Sequence, residues 1–237
     1  RFGVKATFFV IGENAEHHPG ILRRIWADGH EIGSHTFTHP NMAAVSPRRA
    51  RLELNATQRV LQSILGRSTL LFRPPYNADA EPTSMEEVRP IILASQMGYL
   101  TIGEFIDPQD WNLHVRQPGG RIHRRTAQEI AQQVIQQVQS GMGNVILLHD
   151  GGGDRSQTVA ALSIFIPYLQ QHGYHFVPVS QLIGSTRDAV MPPVSAREFM
   201  LVGADRIVFE VNYAIGLFLR TSFLAAIALA LLRSVSV

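Results

Sequence analysis

The stretch Gly33-Ser34-His35-Thr36-Phe37-Thr38-His39 places two histidines four positions apart, directly after the short run Glu31-Ile32-Gly33. A helical turn or a compact loop brings residues with this spacing onto one side. Neutral imidazole is a ligand for zinc and similar divalent ions. A catalytic metal needs about three protein ligands and an open position for water. His35 and His39 are therefore candidate metal ligands, and a third ligand must come from elsewhere in the chain.

Short apolar segments and amphipathic helices alternate around this histidine pair. Strands are predicted for short runs bounded by turn residues, at 6–11, 30–33, 69–72, 99–102, 144–148 and 174–179. Helices are predicted from their periodicity and caps at 14–27, 47–65, 126–140 and 156–171, with a further helix opening at Thr83 or Ser84. Residues 112–125 are predicted to be a polar loop. Repeated alternation of strand and helix predicts an α/β fold with a parallel sheet or barrel.

Polar residues follow four of the predicted strands, near the point where each strand ends. The four clusters are His35/His39, Arg73/Tyr76, Asp110/Trp111 and His149/Asp150. In α/β barrels the active site is built at the carboxyl ends of the strands. These clusters are therefore predicted to meet in one active site.

The side chains in these clusters have recognisable chemical uses. His149 is a candidate general acid for a leaving amine or alkoxide, and Asp110 is a candidate partner that holds and stabilises its imidazole. Arg73 would pair with a catalytic carboxylate, and the backbone N–H of Tyr76 would face an oxyanion. Trp111 would wall an apolar pocket or stack on a sugar ring. The same residues also fit structural roles, as a core histidine, turn residues and a packed indole.

Composition excludes several classes of protein. The chain has 237 residues, of which 45% are hydrophobic, enough for one large domain or two small ones. Its formal net charge is only +2 and it has no block of Lys and Arg, so nucleic acid is not a predicted partner. It contains no cysteine, which excludes disulfides and thiolate metal sites.

The last part of the chain has a different character. After Met191-Pro192-Pro193, the apolar stretch 207–232 is interrupted by Glu210 and Arg220. As one continuous helix this stretch is long enough to cross a membrane, at a cost for Arg220 of about 2.5–3.5 kcal/mol. An interfacial helix followed by a spanning segment, and a helix packed on the barrel, are the alternatives. We expect a barrel domain at 1–185, a linker at 186–205 and a membrane-associated helix at 206–237.

The four clusters, in this order, resemble motifs of the polysaccharide deacetylase family, which is carbohydrate esterase family 4 with its NodB homology domain. The family motif His-Thr/Ser-x-x-His is similar to His35-Thr36-Phe37-Thr38-His39, and Arg-x-Pro-Tyr/Phe is similar to Arg73-Pro74-Pro75-Tyr76. The motif Asp-x-x-Asp-Trp is similar to Asp107-Pro108-Gln109-Asp110-Trp111, and Leu-x-His-Asp is similar to Leu147-Leu148-His149-Asp150. The resemblance covers about residues 1–185.

The resemblance implies a distorted (β/α) barrel, and metal-dependent removal of acetyl groups from N-acetylated sugars, a hydrolysis of a C–N amide bond. It implies that His35 and His39 bind the metal, usually zinc. His149 would protonate the leaving amine of an N-acetylglucosamine-containing polysaccharide, and Asp110 would tune His149.

The remaining motif residues receive roles from the same resemblance. Arg73 would orient the catalytic aspartate, and Tyr76 would contribute an oxyanion N–H. Trp111 and Leu147 would line the pocket for the acetyl group.

One family motif has no counterpart in this sequence. The motif Thr-Phe-Asp-Asp-Gly, which carries the base and the third metal ligand, should lie before Arg1, and no Asp-Asp pair occurs anywhere in the chain. We therefore expect an N-terminally truncated chain that is catalytically inactive as it stands. The alternatives are a non-catalytic carbohydrate-binding or scaffold module, and a different metal hydrolase such as an esterase.

The apolar tail also has a parallel among deacetylase-like proteins. Some of these proteins have a barrel, a linker and a membrane segment that leads into a processive glycosyltransferase of family 2. The resemblance therefore implies a membrane-associated chain with an extracytoplasmic catalytic domain, and it admits the deacetylase half of such a fusion.

Overall fold

The computed structural model describes residues 2–77, 84–116, 118–196 and 198–235. Its main sheet has four parallel strands in the order β1-β2-β3-β4, and these are Thr7–Val10, Glu31–Ser34, Leu71–Phe72 and Leu100–Thr101. Thr7 lies opposite Glu31, Ser34 opposite Phe72, and Leu71 opposite Leu100. Because the strands are parallel, their carboxyl ends share one edge of the sheet, which confirms the predicted α/β class.

Helices connect the strands and cover the sheet. They are α1 Gly12–His17, α2 Pro19–Ala27, α3 Pro47–Leu65, α4 Met85–Gln96, α5 Ala127–Gln139, α6 Ser156–Gln171, α7 Val179–Leu182, α8 Arg187–Val190 and α9 Phe199–Val235. A short 3₁₀ turn spans Pro75–Asn77. Ser84 is the cap of α4, whereas Thr83, the alternative predicted start, lies outside the described residues.

Local capping signals in the sequence determine where α3 and α5 begin. The Ser46 hydroxyl accepts a bond from the backbone N–H of Arg49 at 3.3 Å, and Pro47 occupies the first position of α3. Thr126 and Glu129 form the predicted capping box of α5. Both helix starts are therefore confirmed.

Two local predictions were wrong. The helix predicted at 14–27 is divided at His18, whose backbone is not helical, because Pro19 has no N–H to continue α1 and instead starts α2. The loop predicted at 112–125 contains an antiparallel hairpin of β5 His114–Arg116 and β6 Ile122–Arg124. Gly119 and Gly120 at its tip have φ of 93° and 81°, a backbone that glycine adopts without steric cost.

The strands predicted at 144–148 and 174–179 were also wrong. The first is reduced to a single parallel bridge between Ile106 and Ile146, with the backbone N–H of Leu147 donating to the Ile106 carbonyl at 2.9 Å. In the second segment the N–H of Val179 donates to the Thr7 hydroxyl at 3.0 Å, and Val179 begins α7. An apolar run becomes a strand only when a neighbouring backbone pairs with it.

The core consists of three packed clusters that hold the sheet against its helices. One joins the sheet to α1, α2 and α3, the second lies between α5 and α6, and the third lies between α3 and α4. Their most deeply buried members are Ile32, Leu61 and Leu71, then Ile130, Phe165 and Leu169, and then Leu54 and Phe72. Removing such side chains from water is the main source of stability. The packing also holds the sheet and its helices in fixed relative positions.

The C-terminal part contains more packed structure than the sequence indicated. The segment predicted as a linker, 186–205, includes α8, the fully buried Met191 and the first turns of α9. Asp205 pairs with Arg59 of α3 at 2.9 Å, and Arg206 donates to the Ser63 carbonyl at 2.9 Å. Beyond these contacts the helix is exposed on all sides from 210 to 227. By length and composition, Phe199–Ile227, with a mean hydropathy of 1.4, suffices to cross a membrane.

Candidate active site

The histidine pair lies in a tight loop that directly follows β2. The ring centroids of His35 and His39 are 4.9 Å apart. Nδ1 of His35 lies 2.8 Å from the Arg73 carbonyl, and because a carbonyl oxygen only accepts, Nδ1 carries the proton. The lone pair of His35 is therefore on Nε2, where it is available to a metal ion.

Burial keeps both imidazoles in the neutral form that binds metals. Burial lowers the pKa of His35 to about 4, although the bond to the Arg73 carbonyl opposes the shift. Burial also lowers the pKa of His39. The charge of His149 also lowers the pKa of both histidines, although less than burial does.

Glu53 of α3 holds the histidine loop through hydrogen bonds, and the sequence analysis did not identify it as a site residue. Its carboxylate is almost fully buried and accepts bonds from the N–H groups of Phe37 and Thr38 at 2.9 and 2.7 Å, and from the Thr38 hydroxyl at 2.8 Å. Arg49 donates to it at 2.7 Å. Burial alone raises the pKa of Glu53, but these bonds outweigh it and hold the pKa low. The sequence did carry one signal for this role, because Glu53 is an acidic residue at a position on the apolar face of α3.

The start of α1 holds the same loop from the other side. The N–H groups of Gly12 and Glu13 donate to the carbonyls of Thr36 and Phe37 at 2.9 and 3.0 Å. A Cβ at position 12 would lie 2.5 Å from the Phe37 ring, so only glycine allows this close approach.

Asp110 and His149 form a second, partly buried unit. Nδ1 of His149 lies 2.8 Å from Oδ1 of Asp110, whose side chain is 0% exposed. Oδ2 of Asp110 accepts from the backbone N–H of His149 at 3.0 Å and from the Thr158 hydroxyl at 2.8 Å. Burial raises the pKa of Asp110, but the bonds from His149 and Thr158 outweigh it and lower the pKa overall. Asp110 is therefore an anion that orients His149, with Nε2 of His149 left as the reactive nitrogen.

Arg155 connects the Asp110 loop to the loop that follows His149, a role that no sequence motif indicated. It donates to the carbonyl of Trp111 at 3.2 Å and to the carbonyl of Gly151 at 2.7 Å. Trp111 is 52% exposed, so its indole is accessible to a ligand. Leu147 is half-buried on the segment that leads to His149.

The Arg73/Tyr76 cluster contacts both residues of the histidine pair. The buried guanidinium of Arg73 forms an ion pair with Glu104, so the carboxylate found beside it is one that the sequence analysis did not select. Tyr76 is 66% exposed, and its ring centroid is 5.0 Å from that of His39. The fold thus joins the His35/His39 and Arg73/Tyr76 clusters directly.

Backbone strain is concentrated in these clusters. Among the described residues, the non-glycine residues with positive φ are Thr36, His39, Tyr76 and Gln109, at 66°, 58°, 63° and 50°. This conformation costs about 1–2 kcal/mol per residue. All four residues lie within the predicted motifs, and strain of this kind collects at functional sites.

The donor set fits a divalent metal only in part. The two neutral imidazoles are suitable ligands, but the described part of the chain holds no group of three or more His, Cys, Asp or Glu side chains placed to bind a metal. His35 and His39 therefore supply two of the about three ligands that a catalytic metal requires.

Known proteins are similar to this chain in sequence and in architecture. The family model described as polysaccharide deacetylase matches residues 1–99. A peptidoglycan-N-acetylglucosamine deacetylase of Bacillus cereus is 34% identical over 187 residues, which cover 77% of each chain. The crystal structure of the Bc1960 peptidoglycan N-acetylglucosamine deacetylase superimposes with a TM-score of 0.66 at 31% identity, covering 78% of each chain.

A third similar protein is an esterase that was solved with a metal. This family 4 acetyl xylan esterase from Clostridium thermocellum, in complex with a cobalt ion, has a TM-score of 0.60 at 32% identity and covers 78% of this chain and 82% of its own. The solved relatives confirm the predicted fold class, the distorted (β/α) barrel. This chain belongs to the polysaccharide deacetylase family.

Proposed function

We propose that this chain is a domain of a metal-dependent hydrolase that removes N-acetyl groups from N-acetylglucosamine-containing polysaccharide. The observation that carries the proposal is the Asp110–His149 unit, in which a buried carboxylate orients an imidazole and leaves its Nε2 as the reactive nitrogen. Membership of the family and the named activity of the Bacillus cereus relative support the choice of substrate.

His35 and His39 would hold the divalent metal, which we propose to be zinc. When bound, the metal would polarise the acetyl carbonyl as a Lewis acid. The neutral imidazoles and the free Nε2 of His35 support this role, and the cobalt ion in the acetyl xylan esterase shows that a relative takes a metal.

His149 would act as the general acid. Its Nε2 would give a proton to the departing amine, while Asp110 keeps Nδ1 protonated and stabilises the imidazolium form. The N–H of Tyr76 would stabilise the oxyanion, and Trp111 with Leu147 would exclude water around the acetyl methyl group. Arg73, fixed by Glu104, would position the loop beneath His35.

No described carboxylate lies with the His pair in a metal-binding group, so we propose that this 237-residue chain binds glycan and zinc but does not hydrolyse acetamide. A non-catalytic carbohydrate-binding module predicts the same behaviour of this chain. An esterase acting on O-acetyl sugars is favoured by the similarity to the acetyl xylan esterase.

Measuring the release of acetate distinguishes the N-deacetylase from the binding module and the esterase. With zinc, we expect the chain to release no acetate from the hexamer of N-acetylglucosamine, and an extended chain that carries the family's Thr-Phe-Asp-Asp-Gly strand to release it. His149→Ala in the extended chain should lower the rate by about 10²–10⁴-fold, the usual contribution of a general acid.

Three results would contradict the proposal. Hydrolysis by the chain without extension would refute its inactivity, and an inactive extended chain would favour the binding module. Faster release from O-acetylated xylan than from the N-acetylglucosamine hexamer would identify an esterase.

We further propose that α9 anchors the chain to a membrane and that the barrel lies outside the cytoplasm, where a cell-wall polysaccharide would be reached. The support is a helix that is exposed on all sides from Glu210 to Ile227 and mostly apolar there, interrupted by Arg220. The divisions at 1–185, 186–205 and 206–237, and a fusion to a glycosyltransferase, stay predictions.

Vesicle binding tests the anchor. The full chain should sediment with phosphatidylcholine vesicles, whereas a chain ending at Phe209, which keeps the Asp205 and Arg206 contacts with α3, should stay in the supernatant. Equal sedimentation of the two chains would show that α9 is not the anchor.

A further inference from the structure

The hairpin β5–β6 presents an exposed basic face. Opposite residues of an antiparallel pair share a face, so His114 and Arg124 lie on the same side as Arg116 and Ile122. All four are exposed, whereas Val115 and His123 on the other side are partly buried. This orientation turns Arg116 and Arg124 toward solvent, and Arg121, directly before β6, is exposed as well.

The positive charge of the hairpin is only partly neutralised. Residues 114–125 contain four arginines and two histidines but no acidic residue. Arg124 is paired with Asp154 at 2.7 Å, and Arg125 donates to the carbonyls of Pro108 and Gln109. Within the described residues 2–77, 84–116, 118–196 and 198–235, Arg116 and Arg121 have no carboxylate partner. Two guanidinium groups are thus available for an anionic ligand.

The base of the hairpin is attached to the candidate active site. β5 leaves the loop that carries Asp110 and Trp111, and the N–H of Arg125 returns to the Leu113 carbonyl at 2.8 Å. The Arg124–Asp154 pair links β6 to the loop that follows His149. A polysaccharide positioned over Trp111 and His149 would therefore extend along this hairpin.

We propose that the hairpin is a subsite for carboxylate groups on the polysaccharide, with Arg116 and Arg121 as its ligands. The inference rests on the proposed function and narrows it to anionic glycans that carry carboxylates on sugars next to the N-acetylated one. The planar guanidinium matches a carboxylate with two parallel hydrogen bonds. A glycan is favoured over a lipid headgroup because α9 packs on α3, whereas the hairpin is joined to the His149 and Asp110 loops.

Binding, rather than hydrolysis, tests the subsite, so the test does not depend on whether this chain hydrolyses its substrate. The 237-residue chain in non-ionic detergent is titrated with two hexasaccharides, one alternating N-acetylglucosamine with glucuronic acid and one of N-acetylglucosamine alone. We expect tighter binding of the carboxylated glycan, and Arg116→Gln with Arg121→Gln should weaken it about fivefold at low salt, while binding of the neutral glycan is unchanged. Added salt should remove most of the difference.

Two further variants separate position from net charge. Arg23→Gln with Arg48→Gln removes the same charge from exposed positions on α2 and α3 and should leave both affinities unchanged. Arg116→Lys with Arg121→Lys should keep part of the preference, because lysine keeps the charge but not the planar fork.

Each contrary result identifies what failed. Equal wild-type affinity for the two glycans would overturn the carboxylate subsite alone, and binding of neither glycan would overturn the proposed function with it. A hairpin variant that keeps its glycan affinity but loses binding to phosphatidylglycerol vesicles would show that this face meets lipid, which also overturns the subsite.

Discussion

Asp110→Ala is expected to lower the free energy of unfolding by about 2–4 kcal/mol, because it leaves buried hydrogen-bond donors without an acceptor. The donors are the Thr158 hydroxyl and the backbone N–H of His149, which both bond to Oδ2 of Asp110, and Nδ1 of His149, which bonds to Oδ1. Urea unfolding at pH 7, followed by near-ultraviolet circular dichroism, measures the change.

The pH dependence of this effect has a definite sign. The pKa of Asp110 is lower in the folded chain than its ordinary value of 3.8, so its ionised form contributes stability above that value and loses it as pH falls through the folded-state pKa. The difference in stability between the wild type and Asp110→Asn should therefore shrink below about pH 4.

Two controls show whether the buried network is the cause. Thr158→Val removes one donor and should cost about 1 kcal/mol, less than Asp110→Ala. Glu86→Gln changes an exposed carboxylate on α4 and should leave the pH dependence intact. If Asp110→Ala matched the wild type in stability, the network would not hold this part of the fold.

Glu53→Ala is expected to weaken zinc binding by about 10–100-fold, although Glu53 touches no metal. Its carboxylate holds the N–H groups of Phe37 and Thr38, and thereby the loop on which His35 and His39 approach each other. Competition with a chromophoric chelator at pH 7, below the melting temperature of the variant, measures the affinity.

The matched variants separate positioning from general damage to α3. Asn55→Ala, at an exposed position of the same helix, should bind zinc as the wild type does. Glu53→Gln keeps one acceptor oxygen and should lie between the wild type and Glu53→Ala, whereas His39→Ala removes a ligand and should abolish binding. Unchanged affinity in a folded Glu53→Ala chain would refute the positioning role.

The sequence by itself was sufficient for the family, the α/β class and the side chains that follow β2 and β3. These features depend on neighbours along the chain: the caps at Ser46 and Thr126, the spacing of His35 and His39, and the motif order. A cap or an i, i+4 pair forms from local geometry, so local patterns were enough to predict it.

The tertiary structure decided which polar residues support the site and which apolar runs become strands. Glu53, Glu104, Arg155 and Thr158 belong to no motif, and each has its role only because the fold brings a loop or a partner charge to it. The runs at 144–148 and 174–179 are as apolar as strands, but few backbone partners reach them. Both outcomes depend on contacts between segments far apart in the chain, and a buried polar group or a strand is stable only when such a distant partner satisfies its hydrogen bonds.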